Sequence, residues 1–352
     1  MTSDNGLPGT TAPIDAAAGA LGSTAPARRG DDTPGRRVDG GSARRRVAAG
    51  LLAAVLGAAA LAGCGADARQ VTPVFRTPAA SPGVVSASPT PYQGKAPTRS
   101  FDVDVRELDL SREGRKLATT VYYPDGAGRS PVVLFSHGLG GLPADYAPLL
   151  RRWAAAGFVV AAPAYPHTSG GASDYDVLDV VNQPADASFV IGKVLALDGR
   201  RGDAFFEHLA TDRVAAAGHS AGGITTVGMF TLARDPRLDA GIVLSGNALG
   251  AGTGFRGAAA PMLFVHGERD ETISYASGKA AYKAVPWPKA MLSFPKGDHG
   301  ATLLRDDGAS FEVLADATTE FLRYALYGDP AAKGRIGRAA AQGDVATLDD
   351  RL

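Results

Sequence analysis

The chain has 352 residues, 45% of them hydrophobic and 20% charged, with 36 basic and 36 acidic side chains. That balance lacks the basic excess a nucleic-acid partner would need and the acidic excess a cationic partner would need, while the apolar share is ample for a large core. A single cysteine, Cys64, excludes an intrachain disulfide.

Residues 1–43 are polar and rich in glycine and proline, a composition expected to stay disordered. Next, "SARRRVAAGLLAAVLGAAALAGC" sets three arginines before an apolar run that ends in small residues at Cys64. The run is shorter than the roughly 20 residues of a spanning helix. Its basic, apolar, small-residue order is that of a secretory signal over residues 44–64. The closing "LAGC" resembles the lipobox of bacterial lipoproteins. That resemblance implies cleavage before Cys64, acylation of Cys64 and a membrane tether on the extracytoplasmic face, because several acyl chains hold where one is marginal. The competing reading is an uncleaved membrane helix with an incidental cysteine. Residues 1–43 are long for an n-region, and Val38 is an alternative start. Residues 65–100, including "RTPAASPGVVSASPTPYQGKAPT", read as an extended linker.

The folded part is expected over 101–327, with 328–352 as a C-terminal tail. "FDVDVREL" and "LATTVYYP" alternate apolar and polar residues, as half-buried strands do. "PVVLFSHG" is a continuous apolar run stopped by glycine, the pattern of a strand buried on both faces. "ADYAPLLRRWAAAG" has helical spacing through Tyr146, Leu149, Leu150 and Trp153, with Gly157 as its stop. "FVVAAPAY" is a strand, "PADASFVIGKVLAL" a helix and "RVAAAG" a strand. A helix from Ala221, strands "LDAGIVLSG" and "PMLFVHG", a helix near 275–285, the strand "AMLSFP" and a helix over about 311–327 complete the series. Repeated strand–helix alternation with apolar central strands predicts an α/β fold: a mostly parallel central sheet flanked by helices. The longest irregular stretches, about 164–183 and 245–260, are glycine-rich or polar, so no large cap domain is expected.

"AAAGHSAGG", residues 215–223, puts Ser220 between glycines at −2 and +2, at a strand-to-helix junction. Interior glycines weaken a helix. A strained turn that exposes one hydroxyl needs them, because side chains there would collide across the turn. A serine hydroxyl is a weak nucleophile until a base takes its proton. Of the six histidines, His219 adjoins the serine and is expected to point away from it. His137 and His266 end strands and are expected to brace loops, and His208 to lie on the surface. His299, in "FPKGDHG", follows the last strand at its carboxyl end, where loops of open α/β sheets converge on a ligand crevice. It is the expected base. His167, in "YPHTSGG", is the runner-up or a substrate contact, and Tyr165 a candidate pocket wall.

The imidazole needs an orienting carboxylate. "VHGERDET" offers Asp270, with Glu268 and Glu271 as competitors. Asp298 is badly placed for the neighbouring ring and is expected to shape the turn, and Asp186 reads as a helix-start acid. For the oxyanion of acyl transfer, "SHGLGG" supplies a glycine-rich turn after an early strand, and the amides of Leu139 and Ala221 are the expected donors. A phosphate-cradling reading of "HGLGG" lacks the lysine–hydroxyl pair of a P-loop and the dinucleotide spacing. The order Ser220, Asp270, His299 is that expected of an α/β-hydrolase.

"PVVLFSHGLGG", "GHSAGG", "VHGERD" and "KGDHG", in this order, resemble the α/β-hydrolase superfamily over about 101–327. Within it, "FSHGLGG" with "GHSAGG" resembles the dienelactone-hydrolase, chlorophyllase and platelet-activating-factor acetylhydrolase-like branches, with polyester hydrolases of the cutinase type more distant. Dienelactone hydrolases proper use a cysteine nucleophile, which this chain lacks after Cys64. The resemblance implies a serine esterase or lipase-like enzyme with Asp270 as its acid, acting on a small-molecule or lipid ester without metal or cofactor. Amide or thioester hydrolysis by the same residues is an alternative, as is an inactive binding lipoprotein.

Overall fold

The computed structural model describes residues 94–300 and 304–352. The expected N-terminal extension, the signal segment with Cys64 and the linker up to residue 93 lie outside the described residues. Among the described residues, no helix is long and apolar enough to cross a membrane.

Two strands open the domain, β1 (Val103–Arg112) and β2 (Arg115–Pro124). Only Glu113 and Gly114 separate them, both at positive φ, the two-residue turn whose twist suits an antiparallel hairpin. Then follow β3 (Ser130–Ser136), α1 (Ala147–Ala155) and β4 (Val159–Pro163). After a 3-10 turn at Val177–Val181 come α2 (Gln183–Leu195), β5 (Leu209–His219) and α3 (Ala221–Phe230). The second half continues with β6 (Leu238–Leu244), β7 (Met262–Gly267), α4 (Tyr275–Ala284) and β8 (Lys289–Phe294). It ends with α5 (Ala309–Tyr327), α6 (Pro330–Ala340) and β9 (Thr347–Arg351).

The strands form one sheet in the order β1-β2-β4-β3-β5-β6-β7-β8-β9. From β4 to β8 the pairs are parallel, and β1, β2 and β9 join antiparallel. Successive side chains of a strand face opposite sides, so the continuous apolar run of β3 divides between two cores. Val133 and Phe135 pack with α1, α5 and α6, and Val132 and Leu134 with α2, α3 and α4. Both faces are therefore covered, as a parallel sheet requires. Trp153 of α1 is fully buried and donates its indole N–H to Thr318 of α5 at 3.0 Å. Burying an aromatic or aliphatic side chain of this size contributes about 1.5–3 kcal/mol.

Two boundaries differ from expectation. Ala96 is already buried in one of the two cores, so packing begins inside the expected linker. The expected tail, 328–352, folds: Asp329 caps α6 by accepting Ala331 N–H, Pro330 fills its first turn, and Ala332, Ile336, Ala339 and Ala340 are its buried face. Beyond it β9 pairs with β8 over Thr347–Arg351.

Candidate active site

β5 runs straight into α3 through Ser220, which takes φ 56° and ψ −120°. A non-glycine residue there is strained by roughly 1–3 kcal/mol. The turn closes so tightly that a Cβ on Gly218 would overlap the Gly222 carbonyl, and one on Gly222 would overlap the Ser136 carbonyl of β3. Ser220 N–H donates to Leu244 O of β6 at 2.9 Å, which fixes the turn on its other side.

His299 reaches this serine from the loop after β8. Its Nε2 lies 2.8 Å from Ser220 Oγ and its Nδ1 lies 2.8 Å from Asp270 Oδ2, in the loop after β7. A carboxylate oxygen only accepts, so Nδ1 carries the proton and Nε2 is the free base facing the hydroxyl. The Asp270 side chain is fully buried, whereas Glu268 and Glu271 are exposed, and among these three acids only Asp270 meets the ring. Its Oδ1 accepts Thr272 N–H at 2.9 Å and Ile273 N–H at 2.8 Å. Burial works to raise this carboxyl's pKa, but hydrogen bonds from His266 and His299 overcome it and hold the group well below the ordinary carboxylate range. Asp298 accepts Gly300 N–H at 3.1 Å within its own turn.

The glycine-rich turn after β3 lies opposite. His137, buried, donates from Nδ1 to Gly138 O at 2.8 Å and accepts Tyr165 N–H on Nε2 at 3.0 Å. Burial pushes this imidazole down to about 4, so it is neutral. Gly138 N–H is taken by the Tyr146 hydroxyl, Gly140 N–H by Thr168 O and Gly141 N–H by Gly138 O. Neither Leu139 N–H nor Ala221 N–H has a partner among the described residues. The cavity between these loops, about 720 Å³, is lined by Leu139, Ser220, His299 and Leu304, with Asp145, Arg269, Glu271 and Arg305 around them. Neither the 164–182 connection nor the 245–261 connection contains an α-helix that would form a cap.

Three expectations are corrected. His167 does not line this cavity; its Nδ1 is paired with Asp174 Oδ2 at 2.8 Å inside its own loop. Tyr165 is no cavity wall, since it is fully buried behind β3 with its hydroxyl 2.8 Å from Ser136 Oγ. His219 does not turn away: its ring lines the cavity, bonded to Tyr146 and to the His299 backbone. Asp186 stands in the first turn of α2, fully buried, where Arg112 and Arg115 of the hairpin reach it at 2.9 and 2.7 Å.

Among the described residues, no group of three histidine, cysteine or acidic side chains is arranged to hold a metal ion. A comparison with curated proteins returns no match. Residues 90–239, which carry "SHGLGG" and "GHSAGG" but end before Asp270 and His299, match the Chlorophyllase family model. With that match and this mostly parallel sheet flanked by helices, the chain has an α/β fold and is similar over residues 90–239 to the Chlorophyllase family, which points to hydrolysis of esters in general.

Proposed function

We propose that the chain is a serine hydrolase of carboxylic esters, working through an acyl-enzyme. The observation that carries this reading is the unbroken hydrogen-bond chain from Ser220 Oγ through His299 to Asp270. Ser220 Oγ attacks the acyl carbon while His299 Nε2 takes its proton, and Asp270 holds the ring and the imidazolium that forms. The carbonyl oxygen becomes an oxyanion facing the free N–H groups of Leu139 and Ala221. Collapse expels the alkoxide, which takes the proton from Nε2. Water then attacks the acyl carbon by the same route, giving up its proton to His299 and releasing the acid and Ser220.

The test is covalent labelling with a fluorophosphonate, alongside turnover of a short-chain aryl ester. Labelling and turnover in the full chain, with both lost in Ser220→Ala at unchanged fold, support the reading. Turnover that survives Ser220→Ala ends it. From the arginine–apolar–"LAGC" run we also propose that the domain is tethered through an acylated Cys64 to the extracytoplasmic membrane face. Mass spectrometry of the mature amino terminus tests this, and an unmodified Cys64 refutes it.

A further inference from the structure

His219, the last residue of β5, and His299, in the loop after β8, are 80 residues apart, yet one is bonded to the backbone of the other. His219 Nε2 lies 2.6 Å from the carbonyl oxygen of His299. A carbonyl can only accept, so Nε2 carries the ring proton and Nδ1 is bare. The Tyr146 hydroxyl, 3.0 Å from Nδ1, must therefore donate to it, which leaves the phenol oxygen to accept Gly138 N–H at 3.0 Å. Every hydrogen in the chain has one direction: Gly138 N–H to Tyr146, Tyr146 O–H to His219, His219 N–H to His299 C=O.

Room for this arrangement is built into the neighbouring glycines. A Cβ on Gly300 would sit 2.9 Å from His219 Nε2, and one on Gly138 would sit 3.2 Å from both His219 Nδ1 and the Tyr146 hydroxyl. The ring is buried, and burial, reinforced by nearby His299, pushes it down to about 3, so it holds no charge of its own.

We infer that His219 and Tyr146 form a positioning clamp that sets His299 against Ser220 and turns the Gly138 loop toward the reacting oxygen. The inference rests on the serine-hydrolase reading. Consecutive residues of the elbow grip the base at two points: His219 holds its backbone oxygen and Ser220 meets its ring. Tyr146, by occupying Gly138 N–H, leaves the next amide, Leu139, as the free donor of that loop. Both clamp residues act through the His299 backbone and the Gly138 loop.

Steady-state kinetics on an aryl ester test the clamp in the full chain, with folding followed by circular dichroism and thermal melting. His219→Phe keeps a flat ring but donates nothing. It is expected to lower kcat about tenfold to hundredfold with KM changed less than about twofold, because misplacing the base by a fraction of an ångström acts on the chemical step. His219→Gln restores an N–H near Nε2 and is expected to recover most of that loss. Should His219→Phe fail to fold, Tyr146→Phe, which deletes one oxygen, is expected to lower kcat about threefold to tenfold. A wild-type kcat in folded His219→Phe or in Tyr146→Phe overturns the clamp, as does a glutamine variant no better than phenylalanine. Ser220→Ala, assayed in parallel, separates the two proposals: if it still turns over substrate, the functional reading itself has failed.

Discussion

Asp270 serves two histidines with one oxygen. His299 Nδ1 lies 2.8 Å from its Oδ2, and His266 Nε2 lies 3.2 Å from the same atom while also donating to Ile273 O at 2.8 Å. With the two backbone N–H groups on Oδ1, the carboxylate has no freedom to rotate. Asp270→Asn is expected to lower kcat about 10³–10⁴-fold, because the amide favours the wrong tautomer of His299. His266→Gln, which leaves Asp270 ionised but less tightly held, is expected to cost about threefold to tenfold. Turnover of an aryl ester by the two variants checks the ranking, and an asparagine variant within a factor of about ten of wild type would contradict the role given to the carboxylate.

The strain at Ser220 yields a second test. Glycine adopts φ 56° without penalty, whereas alanine retains the strain of serine. Ser220→Gly should therefore be more stable than Ser220→Ala by about 1 kcal/mol, after allowing for the extra freedom glycine has when unfolded. Gly222→Ala should destabilise by about 2–4 kcal/mol, since its Cβ meets the Ser136 carbonyl. Urea titrations of the three variants measure both differences.

Acid should weaken the fold through two buried imidazoles. His137 and His219 are both depressed from the ordinary 6.5, to about 4 and about 3 respectively. A depressed histidine contributes stability that is complete above 6.5 and is lost as pH falls toward the folded value, because only the unfolded chain takes up the proton. The loss approaches about 1.4 kcal/mol per pH unit for each ring. Asp239, held up by burial, acts in the opposite sense and offsets part of it. Unfolding free energies measured between pH 7.5 and 4.5 should decline; a flat profile would rule this linkage out.

A fourth expectation concerns the hairpin. Arg115 bridges Asp179 at 2.6 Å and Asp186 at 2.7 Å, and both acids are buried. Arg115→Met leaves two carboxylates without their main cation and should cost about 3–5 kcal/mol. Adding Asp179→Asn and Asp186→Asn removes the stranded charges and should return part of that loss. Denaturation midpoints of the single and triple variants decide it, and a triple variant weaker than the single one would contradict the account.

The sheet and the motif serine were readable because their signals are local. The apolar runs of β3 and β5, the alternation in β1 and the two glycines around Ser220 each speak for their own few residues. His299 and Asp270 were readable at one remove, since loops at the carboxyl ends of parallel strands converge. His219 was not, because its direction depends on where a distant carbonyl lies. His167 drew attention as a histidine near the crevice, but Asp174, seven residues on, satisfies it first. The pattern of α6 is plain once noticed: Ala332, Ile336, Ala339 and Ala340 at helical spacing behind Asp329 and Pro330. β9 offers far less, with Leu348 as its one aliphatic residue among polar neighbours.

That outermost strand has a counterpart at the other margin of the sheet. β1 sets out Asp104, Arg106, Glu107 and Asp109, and β9 sets out Asp349, Asp350 and Arg351. A further strand laid along either margin would have to bring its own side chains against these charges. Neighbouring molecules thus have no smooth seam along which to zip together, and the sheet ends where each chain ends it.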